Sequence, residues 1–184
     1  MKQAEKPTPA ETKIEKITEF KATDLSDICD ATESTILDNS DSFTIGFSRQ
    51  EPLVREKLEN YWKGVLLVRE RELIVGRLDG VIVSSLQLVK ASPNNQTSSF
   101  AASLENHFVA PWARGYGLAK QLLKKGESEA KKAEITLLKL SVREDLDSAI
   151  ALYESGGYKR WGTLDQYEKV DGKTYAGHFY CKEL

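Results

Sequence analysis

Between Ser98 and Val142 the sequence passes from a β-rich segment through a glycine turn into a helix and then into a second apolar segment. No other stretch restricts the fold as strongly. Ser98–Val109 reads as a strand that Pro111 helps to end. From about Gly117 to Ala133, Leu118, Leu122, Leu123, Gly126 and Ala130 fall near one helical face. Ile135–Val142 is largely apolar, as expected of a strand covered on both faces. Strand, helix and strand in this order make a parallel crossover, right-handed by the general rule.

The flanking segments complete a mixed α/β pattern. Ile14–Phe20 is a loosely alternating first strand, and Thr23 caps a helix to about Leu37. Phe43, Ile45 and Phe47 alternate within a polar stretch. Glu51 to about Val68 has helical spacing, with Val54, Leu58, Tyr61, Trp62 and Val65 on one stripe and Pro52 in the first turn. Glu72–Leu78 and Val81–Lys90 form a hairpin about Asp79-Gly80. Asp147 or Ser148 caps a short helix that Gly156-Gly157 stop. Tyr158–Lys169 and Lys173–Lys182 turn at Asp171-Gly172. The predicted order is β-α-α-β-β-β-α-β-α-β-β, a mixed, mostly antiparallel sheet flanked by helices. Residues 13–184 are expected to form a single domain, preceded by a mobile tail at 1–12.

The turn within the crossover, Arg114-Gly115-Tyr116-Gly117-Leu118-Ala119, has the makings of an anion site. Gly115 and Gly117 let consecutive backbone N–H groups converge, and the helix start adds unpaired N–H groups and its positive dipole end. Arg114 adds a permanent cation with bidentate geometry for phosphate oxygens. A third glycine is missing for the dinucleotide fingerprint, and no Gly-Lys-Ser/Thr ends the loop as in a P-loop. On spacing alone, a turn that merely redirects the chain explains the glycines equally well.

Composition narrows the partners. The chain carries 28 acidic and 26 basic side chains, net −2, without the basic excess of a nucleic-acid binder. Cys29 and Cys181 fit no metal-ligand or redox spacing, so free thiols in a reducing cytoplasm and no metal site are expected. No apolar run approaches the roughly 20 residues that cross a bilayer, so no membrane partner is expected. Met1–Thr12 lacks the apolar core of a secretory signal.

The loop, following Phe108-Val109, resembles the main motif of the GCN5-related N-acetyltransferase (GNAT) superfamily, Arg/Gln-x-x-Gly-x-Gly/Ala. A second signature agrees: Leu140-Ser141-Val142, then Ala149 through Leu152, Tyr153 and Gly156-Gly157-Tyr158. The order of elements is similar to that family's over roughly residues 14–184.

The resemblance implies transfer of an acetyl group from acetyl-CoA to a primary amine, by direct attack in a ternary complex. It also implies a sheet whose central parallel strands splay apart to admit the pantetheine arm. Arg114, Gly115, Tyr116, Gly117, Leu118 and Ala119 would hold the cofactor pyrophosphate, and the backbone near Phe108 and Val109 would pair with pantetheine. Tyr153 matches the tyrosine that protonates the leaving thiolate; a phenol suits this because it keeps its proton at neutral pH yet can share it with an anion. Glu105 matches a strand position where some members hold the base, with His107 next in line. Period-2 alternation would put Glu105, His107 and Val109 on one face. Burial would raise the Glu105 pKa towards a useful range. One departure is Leu146, where many members carry an asparagine that contacts pantetheine.

Phe43 and Phe47 are candidates for a pocket wall, Tyr61, Trp62 and His178 for packing. Lys120, Lys124, Lys125, Lys131 and Lys132 read as a solvated helix face. The acceptor stays open between a small-molecule amine and a protein N-terminus or lysine. A CoA-binding module without catalysis is the rival class. In such folds terminal strands often pair between subunits, so a homodimer is among the expectations.

Overall fold

The computed structural model describes residues 10–38, 45–47 and 53–184. Its elements are β1 (Thr12–Ile17), α1 (Asp24–Leu37), α2 (Arg55–Leu67), β2 (Arg71–Leu78), β3 (Val81–Lys90), β4 (Ala101–Val109), α3 (Leu118–Lys132), β5 (Leu137–Arg143), α4 (Asp147–Ser155), β6 (Lys159–Val170) and β7 (Lys173–Glu183). The order matches the expectation; the boundaries shift where local chemistry intervenes. The tail expected at 1–12 falls mainly on residues outside the described ones, but Thr12 already belongs to β1. Glu11 explains the early start. Its N–H donates to the Asp79 carboxylate (2.8 Å), and its carbonyl accepts from the Asp79 N–H (2.9 Å).

Ser98 lies in a 3-10 turn, Gln96–Ser98, so β4 begins only at Ala101. Leu146, not Asp147 or Ser148, is the cap of α4, and Asp147 sits in the first turn, where its charge favours the helix dipole. Ile45-Gly46 forms a turn, with Ile45 at φ 50°. Glu51 and Pro52 lie outside the described residues, and α2 starts at Arg55.

The sheet runs β1-β2-β3-β4-β5-β7-β6. All neighbours are antiparallel except β4 and β5. Alternation along β2 builds two cores. Leu73 and Val75 join Ile28, Ile36, Leu58, Trp62 and Phe108 under α1 and α2. Ile74 joins Leu86, Leu104, Leu122, Leu123 and Tyr153 under α3 and α4. Gly126 lets α3 approach closely, since a Cβ there would sit 2.7 Å from Leu86 Cδ2.

The outer end of α3 is tied to β1 by charge. Glu129, 6% exposed, accepts from Lys132 (2.9 Å), Lys125 (2.9 Å) and Lys16 (3.1 Å). The hydrogen bonds from Lys132, Lys125 and Lys16 together outweigh burial and bring its pKa down to about 2. An unfolded glutamate titrates near about 4.3, so this carboxylate stabilises the fold above that pH and ceases to do so as pH falls towards 2. Glu129→Gln is therefore expected to lower the melting temperature most near pH 7. The gap to wild type should close between about pH 4 and pH 2, and a gap independent of pH would refute the assignment.

Candidate active site

The site begins with a break in the sheet. β4 pairs with β5 only through Ala101–Ser103 and Leu137–Lys139. From Leu104 onward the two strands part. On its other edge, β4 carries a bulge: Glu105 is opposite Gln87 and Phe108 opposite Ser85, so Asn106 and His107 share one partner position. Asn106 takes a left-handed φ of 49°, a conformation asparagine tolerates better than most residues. The Ser85 hydroxyl donates to the Asn106 carbonyl at 3.0 Å.

The bulge overturns the expected alternation, because an inserted residue re-aims the side chains around it. Glu105 does not share a face with His107. Its carboxylate accepts from Arg71 Nη1 at 2.9 Å, and Arg71 also donates to Gln87 (2.7 Å). Gln87 Nε2 and Asn106 Nδ2 both donate to the Tyr61 hydroxyl of α2. Glu105 is thus part of a polar network on the α2 side. The burial expected for it is absent, as its side chain is 41% exposed. His107 turns towards α3 and α4.

There His107 meets Tyr153. The Tyr153 hydroxyl lies 3.1 Å from His107 Nδ1, and His107 Nε2 lies 3.0 Å from the Ala119 carbonyl. A carbonyl only accepts, so Nε2 carries the proton. Desolvation pushes the His107 pKa down to about 4, leaving the ring neutral near pH 7. Nδ1 is then a bare acceptor, and the Tyr153 O–H donates to it. Burial drives the Tyr153 pKa well above the ordinary tyrosine value. Its proton stays on the oxygen at any working pH.

The glycine loop lies at the other end of the opening. Gly115 has φ 90°, and Gly117, the cap of α3, has φ 73°. No atom lies within 4 Å of a Cβ built on Gly115, so the turn needs glycine there for its backbone angle and not for want of space. No side chain caps α3, and its first intrahelical bond runs from Gln121 N–H to the Gly117 carbonyl (3.1 Å). The amides of residues 118–120 thus precede the helical ladder. Arg114 is at the same corner, with Nη1 2.9 Å from the Asp38 carboxylate just past the end of α1. Tyr116 is about half exposed.

A cleft of about 1010 Å³ runs from this loop through the splay. Arg114, Gly117, Phe108, Val109, Tyr153 and Glu105 all line it, as do Leu118 and Ala119. Leu146 and Asp147 line it too. Phe43 lies outside the described residues. Phe47 packs edge-on against Tyr61 (5.8 Å) and is not among the described residues that line the cleft.

Three contributors carry no signal in the sequence. Asp38 reaches Arg114 only because α1 ends beside the loop. Arg143, almost fully buried at the end of β5, pairs with Asp145 (2.5 Å) and Glu168 (3.3 Å) and faces the Tyr175 ring at 4.7 Å. Tyr167 follows from an irregular stretch of β6 between Leu164 and Glu168, which lays its ring over Gly177 and its hydroxyl 2.8 Å from Ser141.

An open parallel pair beside an uncapped helix start gives an α/β domain with the chemistry to take an extended ligand that carries an anion. The acetyltransferase (GNAT) family model matches residues 34–158. An Azospirillum brasilense protein described as an uncharacterized N-acetyltransferase in the hisH-hisA intergenic region is 47% identical over 131 residues, 71% of this chain and 75% of its own length. The chain belongs to the GNAT family of acetyltransferases, and it is an acetyl-CoA-dependent acetyltransferase.

Solved structures share the fold. The ribosomal-protein-alanine N-acetyltransferase of Brucella melitensis matches with TM-score 0.73 at 21% identity, covering 93% of this chain and 99% of that one. A putative acetyltransferase of Salmonella typhimurium, yncA, solved with acetyl-CoA, matches with TM-score 0.69 at 15% identity, covering 94% and 93%.

Proposed function

We propose that the protein transfers an acetyl group directly from acetyl-CoA to a primary amine, with both bound in the cleft. The reading rests above all on one arrangement: a buried, protonated Tyr153 lines the same opening as the uncapped start of α3. Bound acetyl-CoA supplies an acetyl group activated as a thioester.

The chain's own residues supply the rest. Amides of the Gly115–Ala119 turn and the Arg114 guanidinium hold the diphosphate, the guanidinium exchanging its Asp38 partner for phosphate oxygens. The backbone of β4 at Phe108 and Val109 pairs with the pantetheine amides, as a strand pairs with its neighbour. Leu146 offers no side-chain hydrogen bond there, so backbone pairing carries that contact. Tyr153 holds a proton at Oη for the departing thiolate. Glu105, in the cleft wall, accepts the proton of the amine, and Arg71 fixes the orientation of its carboxylate. Neither cysteine lines the cleft, and burial pushes the Cys29 thiol up to about 11, which favours direct attack over an acyl-thiol route.

The test pairs calorimetry with thioester turnover across a panel of small amines, peptide N-termini and lysine peptides. Gly115→Ala/Gly117→Ala places two side chains at positive φ, at about 1 kcal/mol or more each. It is expected to weaken acetyl-CoA binding at least about tenfold. Wild-type affinity in that variant would remove the loop from the reading. Binding without turnover on any amine would turn it into a module that holds CoA and does no chemistry.

A further inference from the structure

Building on Tyr153 as the proton donor, we propose that His107 is its positioning residue, locked in one tautomer by the Ala119 carbonyl and thereby coupling the phenol to the first turn of α3. The chain of contacts is closed at both ends. Ala119 O can only accept, so the ring must present Nε2–H to it and a lone pair from Nδ1 to Tyr153. The opposite tautomer would set a nitrogen lone pair against the carbonyl oxygen, so the Ala119 end alone selects Nε2–H.

The lock fixes where the phenolic oxygen sits. Tyr153 can release its bond to Nδ1 by turning about its C–O axis, so Oη keeps its place while the proton swings towards a developing anion. Ala119 lies in the turn whose amides form the anion site, and its carbonyl fixes the ring that fixes the phenol. One imidazole therefore sets the distance between the cofactor-holding turn and the proton donor. The bulge at Asn106 is what makes this reach: without the extra residue, His107 would lie on the other face of β4.

The tautomer can be read directly, without cofactor or turnover. The chain has two histidines, so ring-nitrogen NMR of histidine-labelled protein gives two spin systems, and His178→Gln assigns them. His107 is expected to show a protonated Nε2 and a bare, hydrogen-bonded Nδ1. Tyr153→Phe should shift Nδ1 and leave Nε2 in place.

Kinetics supply the second arm. His107→Gln, whose amide also carries one acceptor and one donor, should keep kcat within about threefold. His107→Leu should lose about tenfold in kcat, with acetyl-CoA affinity changed less than about twofold. A protonated Nδ1, an Nδ1 signal indifferent to Tyr153→Phe, or full activity in a folded His107→Leu would overturn the proposal. A Tyr153→Phe enzyme with wild-type kcat alongside the expected spectra would sink the proton-donor reading instead. If His107→Leu does not fold, the wild-type and Tyr153→Phe spectra still decide.

Discussion

Tyr153→Phe is expected to lower kcat by about 100-fold or more, while the affinity for acetyl-CoA stays within about twofold. A factor of 100 corresponds to about 2.7 kcal/mol of transition-state stabilisation. The substitution keeps the ring, and with it the edge-on contact to Tyr158 at 5.9 Å and the seat beneath α4. It removes only the oxygen that carries the proton. Because burial raises the pKa of Tyr153, the hydroxyl stays protonated throughout the neutral range, and the loss should be nearly independent of pH from about 6 to 9. A modest fall in melting temperature should accompany it, since His107 Nδ1 loses its donor. Single-turnover rates and titration calorimetry separate chemistry from binding. A fall in kcat of less than threefold would mean that the leaving thiolate takes its proton from elsewhere.

The largest effect on stability is expected from Trp62→Ala, about 3–5 kcal/mol. Trp62 is fully buried on α2, and its Nε1–H donates to the Thr32 hydroxyl of α1 at 3.0 Å. Its ring packs 6.4 Å from Phe108, the β4 residue next to His107. Removing it opens a cavity between two helices and the sheet, and takes a donor from the buried Thr32. Thr32 retains its own bond to the Ile28 carbonyl (2.6 Å), so the cavity is the main cost. Against a typical stability of 5–15 kcal/mol, such a loss leaves little margin at 37 °C. Urea denaturation of both proteins measures it; a difference under 1 kcal/mol would show that α1 and α2 reclose over the gap. The site should suffer as well, because Phe108 loses its backing where β4 lines the cleft.

Much of this architecture was legible because its causes are local. Asp79-Gly80 and Asp171-Gly172 take the paired left-handed angles that a tight hairpin demands. Of the predicted stripe, Leu58, Trp62 and Val65 are buried and Tyr61 packs against the same core, while Val54, at the cap of α2, is exposed. The glycine loop and the stretch ending in Gly156-Gly157 lie where strand and helix periodicity place them. The alternation expected around Glu105 failed for an equally physical reason. Alternation holds only in a regular strand, and the inserted residue at Asn106 sends Glu105 into a network with Arg71, Gln87 and Tyr61.

The amino-acid sequence on its own therefore determined the order of elements, the glycine turn and the family, because turn chemistry and periodicity act over a few neighbouring residues. Tertiary structure alone decided what the side chains at the site touch. The Asp38–Arg114 pair, the His107–Tyr153 bond and the Tyr167–Ser141 contact each join parts of the chain far apart in sequence. Hydrogen bonds act only over a few ångströms, so no spacing along the chain reveals which distant groups packing will bring within reach.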